Sequence, residues 1–224
     1  MKKLYGIGTG PGAADLLTLR AVNIIKDARV IFAPNNKGKN MALDTVGEYI
    51  GDKRVVPIDF PMGSVEIEDY INGVNTIYKE IPEGEYGAFL TIGDSMIYST
   101  FIYIMDLLNE KDIEIEVVPG IPSFVAAAAA SKVPLTIKGD TFLLIDEFDK
   151  SLLAKADSFA LLKTLREKEG ILDELDKNNF DYKYVKRVSL NEQVILENKE
   201  EILGDKDYIS LIFGRKKVVN SDEN

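Results

Sequence analysis

Three short stretches of this chain hold the residue types from which a small-ligand site is built. The first is Gly6-Ile7-Gly8-Thr9-Gly10-Pro11-Gly12, where glycines permit positive φ and let a ligand approach the backbone closely. The second is Gly93-Asp94-Ser95-Met96-Ile97-Tyr98-Ser99-Thr100. Asp94 there is short and anionic, suited to cap a helix or to meet a polar ligand. The third is Pro119-Gly120-Ile121-Pro122-Ser123-Phe124, which leads into the alanine run Ala126 to Ala130. Ser123 is a natural helix cap, and consecutive alanines make a thin helix against which another element or a ligand packs closely. Taken singly, each stretch has a plainer reading as a tight turn, a capped helix or a packing contact.

A dinucleotide fold is the first alternative for the opening glycines, because Gly8, Gly10 and Ala13 fit the spacing G-x-G-x-x-A. Pro11 removes a backbone donor that a phosphate cradle would want. The next predicted strand ends at Ala33-Pro34-Asn35, with no acidic residue to hold a ribose. The dinucleotide reading fails on both counts.

The elements around these stretches alternate regularly. Leu4 to Gly8 reads as an apolar strand, and Leu16 to Ala28 as an amphipathic helix. Strands follow at Arg29 to Ala33, Arg54 to Ile58, Tyr86 to Ile92 and Glu114 to Val118. Helices are predicted at Met41 to Ile50, Glu66 to Ile81, Ile97 to Leu108 and Ser123 to Lys132. Such alternation implies an α/β fold with a mostly parallel first sheet and helices on both faces. All three stretches then fall at carboxyl ends of strands, the edge where parallel sheets bind ligands. A shared crevice requires that coincidence.

The character changes near Val133-Pro134-Leu135. The reading places an N-terminal α/β domain over 1–137, a smaller C-terminal α/β domain over 138–217 and a frayed tail over 218–224. Within the second domain, Thr141 to Ile145, Tyr182 to Val188 and Asp207 to Phe213 read as strands. Leu152 to Lys168 reads as a charged helix.

Composition narrows the chemistry. The 224 residues carry 37 acidic and 27 basic side chains, a net charge of −10, with 46% apolar residues. That balance opposes broad binding to nucleic acid or anionic membranes. Cysteine and histidine are both absent, which excludes disulfides, zinc–thiolate sites and thiol nucleophiles, and removes the commonest general base. Asp146-Glu147-Phe148-Asp149 reads as an exposed loop, and no metal is assigned to the protein itself. No apolar run reaches the roughly 18 residues of a membrane span, and the opening residues do not form a signal peptide. The expected location is cytoplasmic.

The three loops, in this order and at this spacing, resemble the signature of the tetrapyrrole (corrin/porphyrin) methylases. That family has a G-x-G-P-G loop near its start, a G-D-P loop in mid-domain and a P-G-I loop after the next strand. Gly10-Pro11-Gly12 through Asp15-Leu16-Leu17-Thr18-Leu19-Arg20-Ala21 lies close to the first. Tyr98-Ser99-Thr100-Phe101 and Val117-Val118-Pro119-Gly120-Ile121 resemble one branch, the C-20 methyltransferases of precorrin-2 and cobalt-factor II in cobalamin biosynthesis. Two departures stand out. Ser95 replaces the usual proline, which loosens that loop, and Pro122 stands where serine or threonine is common, which limits that residue to apolar or carbonyl contacts.

The resemblance implies two α/β domains with a cleft, a homodimer, and S-adenosylmethionine as cofactor. By matching motifs, its contacts are Pro11, Ile92, Gly93, Asp94, Ile97, Pro122, Ser123 and Phe124, with Ile145, Asp146 and Val188 from the second domain. The implied reaction is methyl transfer to the C-20 meso carbon of cobalt-factor II or precorrin-2. With no histidine, Asp94 or a water is the nominee to take the meso proton, and Tyr98 to orient substrate or water. Lys37 and Lys39, in a polar loop at the same edge, are the nominees for the substrate's carboxylate arms; Arg20 and Lys138 are weaker ones. Rival readings are a same-fold methylase acting on another precorrin carbon, a protein side chain or ribosomal RNA, and a non-catalytic cofactor-binding member. The net charge opposes RNA.

Overall fold

The computed structural model describes residues 1–35, 40–60, 66–164 and 167–217. The chain divides into two compact units, Met1–Ser123 and Phe124–Asn224. The sequence reading places its boundary later, at 137/138. The helix Ser123–Ser131 falls with the second unit because its Phe124 ring packs 5.8 Å from Phe142. The tail over 218–224 lies outside the described residues.

The first unit contains, in order, β1 (Lys2–Gly8), α1 (Leu19–Asp27), β2 (Val30–Asn35), α2 (Met41–Thr45), α3 (Gly47–Ile50), β3 (Arg54–Asp59), α4 (Ile67–Glu80), β4 (Tyr86–Thr91), α5 (Thr100–Leu108) and β5 (Ile113–Val118). The strands form one five-stranded sheet in the order β3-β2-β4-β1-β5, and every pair in it is parallel. A parallel sheet needs cover on both faces. On one side Leu4, Val30, Phe32, Ile58 and Phe89 are buried with α4 and α5 residues Val74, Ile77, Phe101 and Ile104. On the other, Ile7, Ile31, Ala88, Leu90 and Val118 are buried with Ala21 and Ile25 of α1 and Ala42 ahead of Val46.

Local signals fix the helix starts. The Thr18 hydroxyl accepts the Ala21 N–H at 3.1 Å to cap α1, and the Glu66 N–H donates to Asp69 at 2.9 Å ahead of α4, each satisfying a donor at a helix start. Glycine is required where Gly6 passes beneath α5, since a Cβ there would lie 2.2 Å from the Phe101 ring.

The order of strands matters for function. From β1 the chain moves toward β2 at one side of the sheet, and from β4 it moves toward β5 at the other. Yet β1 and β4 are neighbours. Divergence of connections between adjacent parallel strands defines the switch point at which such sheets bind ligands.

The second unit continues with α6 (Ser123–Ser131), β6 (Phe142–Ile145), α7 (Lys150–Leu153), β7 (Ser158–Leu162), α8 (Lys168–Lys177), β8 (Phe180–Lys186), β9 (Val194–Leu196), α9 (Lys199–Gly204) and β10 (Ser210–Lys216). Its sheet runs β6-β7-β10-β8-β9; only β6 and β7 pair in parallel, and the other pairs are antiparallel. The helix expected over Leu152 to Lys168 is overturned. Ser158–Leu162 is instead a strand between two partners, with Phe159, Ala160 and Leu161 almost wholly buried. Alanine and leucine are good helix formers, but propensity is a weak prior, and burial on both sides of a sheet outweighs it.

A carboxylate knot holds this unit together. Asp205 accepts from the Tyr184 hydroxyl at 2.8 Å, from the Asp207 N–H at 2.8 Å and from the Lys186 ammonium. The buried Lys168 donates to the Ile202 carbonyl at 3.3 Å and to the Asp205 carbonyl. Burial pushes the Asp205 carboxyl up, but those three donors outweigh it and hold it at about 2. The unfolded value is about 3.9. A depressed carboxyl contributes its full stability above about pH 4 and loses it as pH falls through about 2, roughly 2 kcal/mol in all. Asp205→Asn should therefore melt earlier at neutral pH and show a shallower loss of stability from pH 5 to 2 than the parent, read by thermal melts across that range.

Candidate functional site

The three glycine-bearing loops leave β1, β4 and β5 at one edge, and the backbone ties them to each other. The Thr9 N–H and hydroxyl both donate to the Thr91 carbonyl, at 2.8 and 3.1 Å. Gly10 and Gly93 exchange a pair of backbone hydrogen bonds, Gly10 N–H to Gly93 O at 3.1 Å and Gly93 N–H to Gly10 O at 2.7 Å. Both glycines hold φ of 74°, a backbone that L side chains adopt only at a cost. The loop after β5 closes against the same point. A Cβ on Gly8 would lie 2.4 Å from the Gly120 nitrogen, and one on Gly120 would lie 2.1 Å from the Gly93 carbonyl oxygen.

Asp94 links two of these loops through its side chain. One carboxylate oxygen accepts the Met96 N–H at 2.8 Å, within its own turn. The other accepts the Gly120 N–H at 3.0 Å, across the strand edge. Sequence reasoning expects capping or ligand contact from Asp94 and misses this tie. It likewise misses the close approach of Gly8 to Gly120, because only strand order reveals that β4 and β5 flank β1.

What this edge offers a ligand is apolar surface and open backbone. Ile92, Met96 and Tyr98 are 41%, 45% and 43% exposed, three large apolar side chains on one loop. Above Gly93 an added Cβ would meet nothing within 4 Å, so that backbone can be approached from solvent. Pro11 is buried beside Gly10, while Ile97 and Pro122 are half-buried. Tyr98 holds φ of 45°, an uncommon backbone for a bulky residue and one that clusters at functional sites. Ser95, in the proline position, is fully buried and its hydroxyl has no partner. The neighbouring Ser99 hydroxyl reaches back to the Ser95 carbonyl at 2.5 Å.

The remaining expected residues divide. Ser123 begins α6, whereas Phe124 is 8% exposed and stacked in the second unit. In that unit Ile145 ends β6 buried, Asp146 is half-buried after it, and Val188 is buried just past β8. Asp149, in the acidic run, caps α7 by accepting the Ser151 N–H at 2.8 Å. Arg20 is paired with Glu116 on β5, which ties it to the first sheet, and Lys138 is exposed. Lys37 and Lys39 lie outside the described residues; the flanking Asn40 caps α2 and donates to the Pro34 carbonyl at 2.6 Å.

A concavity of about 770 Å³ lies between the end of α1 and the starts of β2 and β3, lined by Lys26, Arg29, Tyr49, Lys53, Arg54 and Glu80. It opens at the amino edge of the sheet, and Arg54 is already paired with Glu80 at 2.6 Å. Gly51 lines it, but the loops joined at Gly10, Gly93 and Gly120 lie at the carboxyl edge, which is the better candidate.

The family model of the tetrapyrrole (corrin/porphyrin) methylases matches residues 3–203. The chain is 36% identical over 231 residues to the probable cobalt-precorrin-2 C(20)-methyltransferase of Methanocaldococcus jannaschii, covering 94% of this chain and 95% of that one. It is 33% identical over 191 residues to the cobalt-precorrin-2 C(20)-methyltransferase of Salmonella typhimurium, covering 76% and 80% respectively. Among solved structures it is similar to a uroporphyrin-III C-methyltransferase from Thermus thermophilus complexed with S-adenyl homocysteine, with a TM-score of 0.69, 21% identity and coverage of 95% and 97%. At that identity the likeness speaks for the fold. Among the described residues, no helix is long and apolar enough to cross a membrane.

Proposed function

Because this chain belongs to the tetrapyrrole methylases, we propose that it transfers a methyl group from S-adenosylmethionine to the C-20 meso carbon of a precorrin-2-type macrocycle in cobalamin biosynthesis. Relatives named for cobalt-precorrin-2 favour a metallated acceptor over metal-free precorrin-2. The observation that carries the reading is the knot of Gly10, Gly93 and Gly120 at the switch point, with Ile92, Met96 and Tyr98 exposed beside it.

The bound cofactor supplies an activated methyl on a sulfonium, so the chain need form no covalent bond. Its residues have positioning to do, which is worth roughly 7–11 kcal/mol when the geometry is good. Open backbone at Gly93 and apolar contact from Ile92 and Ile97 would hold the cofactor, with Pro11, Asp94, Pro122, Ser123 and Phe124 as further contacts. Ile145, Asp146 and Val188 belong to the same proposal from the second unit, on the family motifs. Tyr98 presents its ring on a constrained backbone and would orient the macrocycle or a water. Each Asp94 oxygen keeps a second lone pair beyond its backbone hydrogen bond, so the tie between loops leaves room for the meso proton to be taken there. A cytoplasmic homodimer completes the proposal.

Purified protein given S-adenosylmethionine with cobalt-factor II or precorrin-2, side by side, should add one methyl to the macrocycle by mass, with a changed visible spectrum. Cofactor binding by calorimetry without transfer to either would sink the reading in favour of a sensor or another acceptor. Charge reversal at both Lys37 and Lys39 should weaken macrocycle binding by about tenfold while sparing the cofactor. Equal loss of both affinities would remove those lysines from the substrate's side.

A further inference from the structure

The exit of β8 carries backbone strain on both sides of one buried residue. Arg187 and Ser189, neither of them glycine, hold left-handed backbone with φ of 48° and 69°. Between them Val188 is only 6% exposed. A non-glycine residue in that conformation is strained, because its Cβ crowds the following carbonyl oxygen. Such strain persists only where the surroundings over-determine it, and it gathers at ligand clamps and active sites.

The surroundings that impose it are visible. The Arg187 Nε donates to Asp207 at 2.5 Å, and its N–H donates to the Ile209 carbonyl at 2.9 Å. Asp207 is fixed in turn on three sides. Its second carboxylate oxygen accepts the Ile209 N–H at 3.0 Å, its own N–H donates to Asp205, and its carbonyl accepts the Ser210 hydroxyl at 2.8 Å. The Ser189 N–H donates to the Gln193 side-chain oxygen at 2.8 Å. The short segment before β10 thus grips the end of β8.

Three strand ends share this edge. β6 is parallel to β7, and β7 and β8 both run antiparallel to β10 between them. Their carboxyl ends therefore point the same way. Lys163, at the exit of β7, is also left-handed at 59°. An ordinary turn at Arg187 would place glycine there at no steric cost; this chain instead places an arginine and a carboxylate to hold it. As an ion pair alone, with the arginine 36% exposed, the contact adds little stability.

We propose that Asp207 is a positioning residue for ligand binding, holding Arg187 in its left-handed conformation so that the β8 exit presents Val188 to the cofactor. The proposal rests on the reading of Val188 as a cofactor contact. Asp207 itself need not touch the ligand.

The test uses the full chain with S-adenosylhomocysteine as the probe, titrated calorimetrically at a temperature where every variant is folded. Asp207→Asn should bind about tenfold more weakly, and adding Arg187→Gly should recover most of that affinity, because glycine takes the left-handed backbone without a clamp. Should Asp207→Asn not fold, Arg187→Ala carries the same expectation, since it keeps the strain and loses the clamp. Unchanged affinity in Asp207→Asn or Arg187→Ala, or no recovery in the double variant, would overturn the positioning role alone. Failure of the parent chain to bind the probe would overturn the cofactor reading with it.

Discussion

Gly120→Ala should weaken cofactor binding on the order of 10²-fold. The added Cβ would lie 2.1 Å from the Gly93 carbonyl oxygen and 2.6 and 2.7 Å from the Gly8 carbonyl carbon and oxygen. All three are backbone atoms, and their loops are already pinned by the Gly10–Gly93 pair. A flexible side chain would swing aside; two hydrogen-bonded strand ends cannot. Ordinary contact requires the loops to part by about 1 Å, and a displacement of that size at a positioned site costs on the order of 10²-fold. Overpacking adds a stability loss of roughly 1–3 kcal/mol. Gly84→Ala is the control, because its Cβ would meet nothing within 4 Å, although its own φ is positive, at 78°. That variant should melt slightly earlier and bind normally. If Gly120→Ala bound S-adenosylhomocysteine as tightly as the parent, the ligand would have to sit elsewhere than at this knot.

The contrast between these two glycines also marks how far the sequence could be read. The alternation of apolar strands and amphipathic helices up to Val118 is strong and local, so the first unit's parallel sheet was legible. So was the placement of Gly10, Gly93 and Gly120 at strand ends. Which loops touch depends on strand order, and nothing local tells that β1 lies between β4 and β5. The tie from Asp94 to the Gly120 N–H spans 26 residues and was invisible for that reason. The second unit was harder. Ser158–Leu162 is a strand because β6 and β10 flank it, whereas its leucines and alanine fit a helix as well. β9 is three residues long, too brief to show a period. The strained exit of β8 carries no sequence signal, since arginine and serine are not residues from which positive φ is expected.

Asp94 is where those two levels meet, and its substitution separates bracing from proton transfer. In the parent each carboxylate oxygen accepts one backbone N–H, from Met96 and from Gly120. Asparagine has one oxygen to offer and turns a donor toward the other N–H, so Asp94→Asn loses one of the two bonds, and Asp94→Ala loses both. A hydrogen bond to a charged group contributes roughly 1.5–3 kcal/mol. If bracing dominates, cofactor affinity should fall about tenfold in Asp94→Asn and further in Asp94→Ala, in step with falling thermal stability. If Asp94 takes the meso proton, the signature differs, because general-base catalysis contributes about 10²–10⁴-fold. Asp94→Asn would then lose turnover by that factor at saturating cofactor, beyond anything its weakened binding explains. Normal binding together with parental turnover would exclude both roles. The geometry favours affinity and stability moving together, because an aspartate whose two oxygens already hold two loops must keep them in place before any proton arrives.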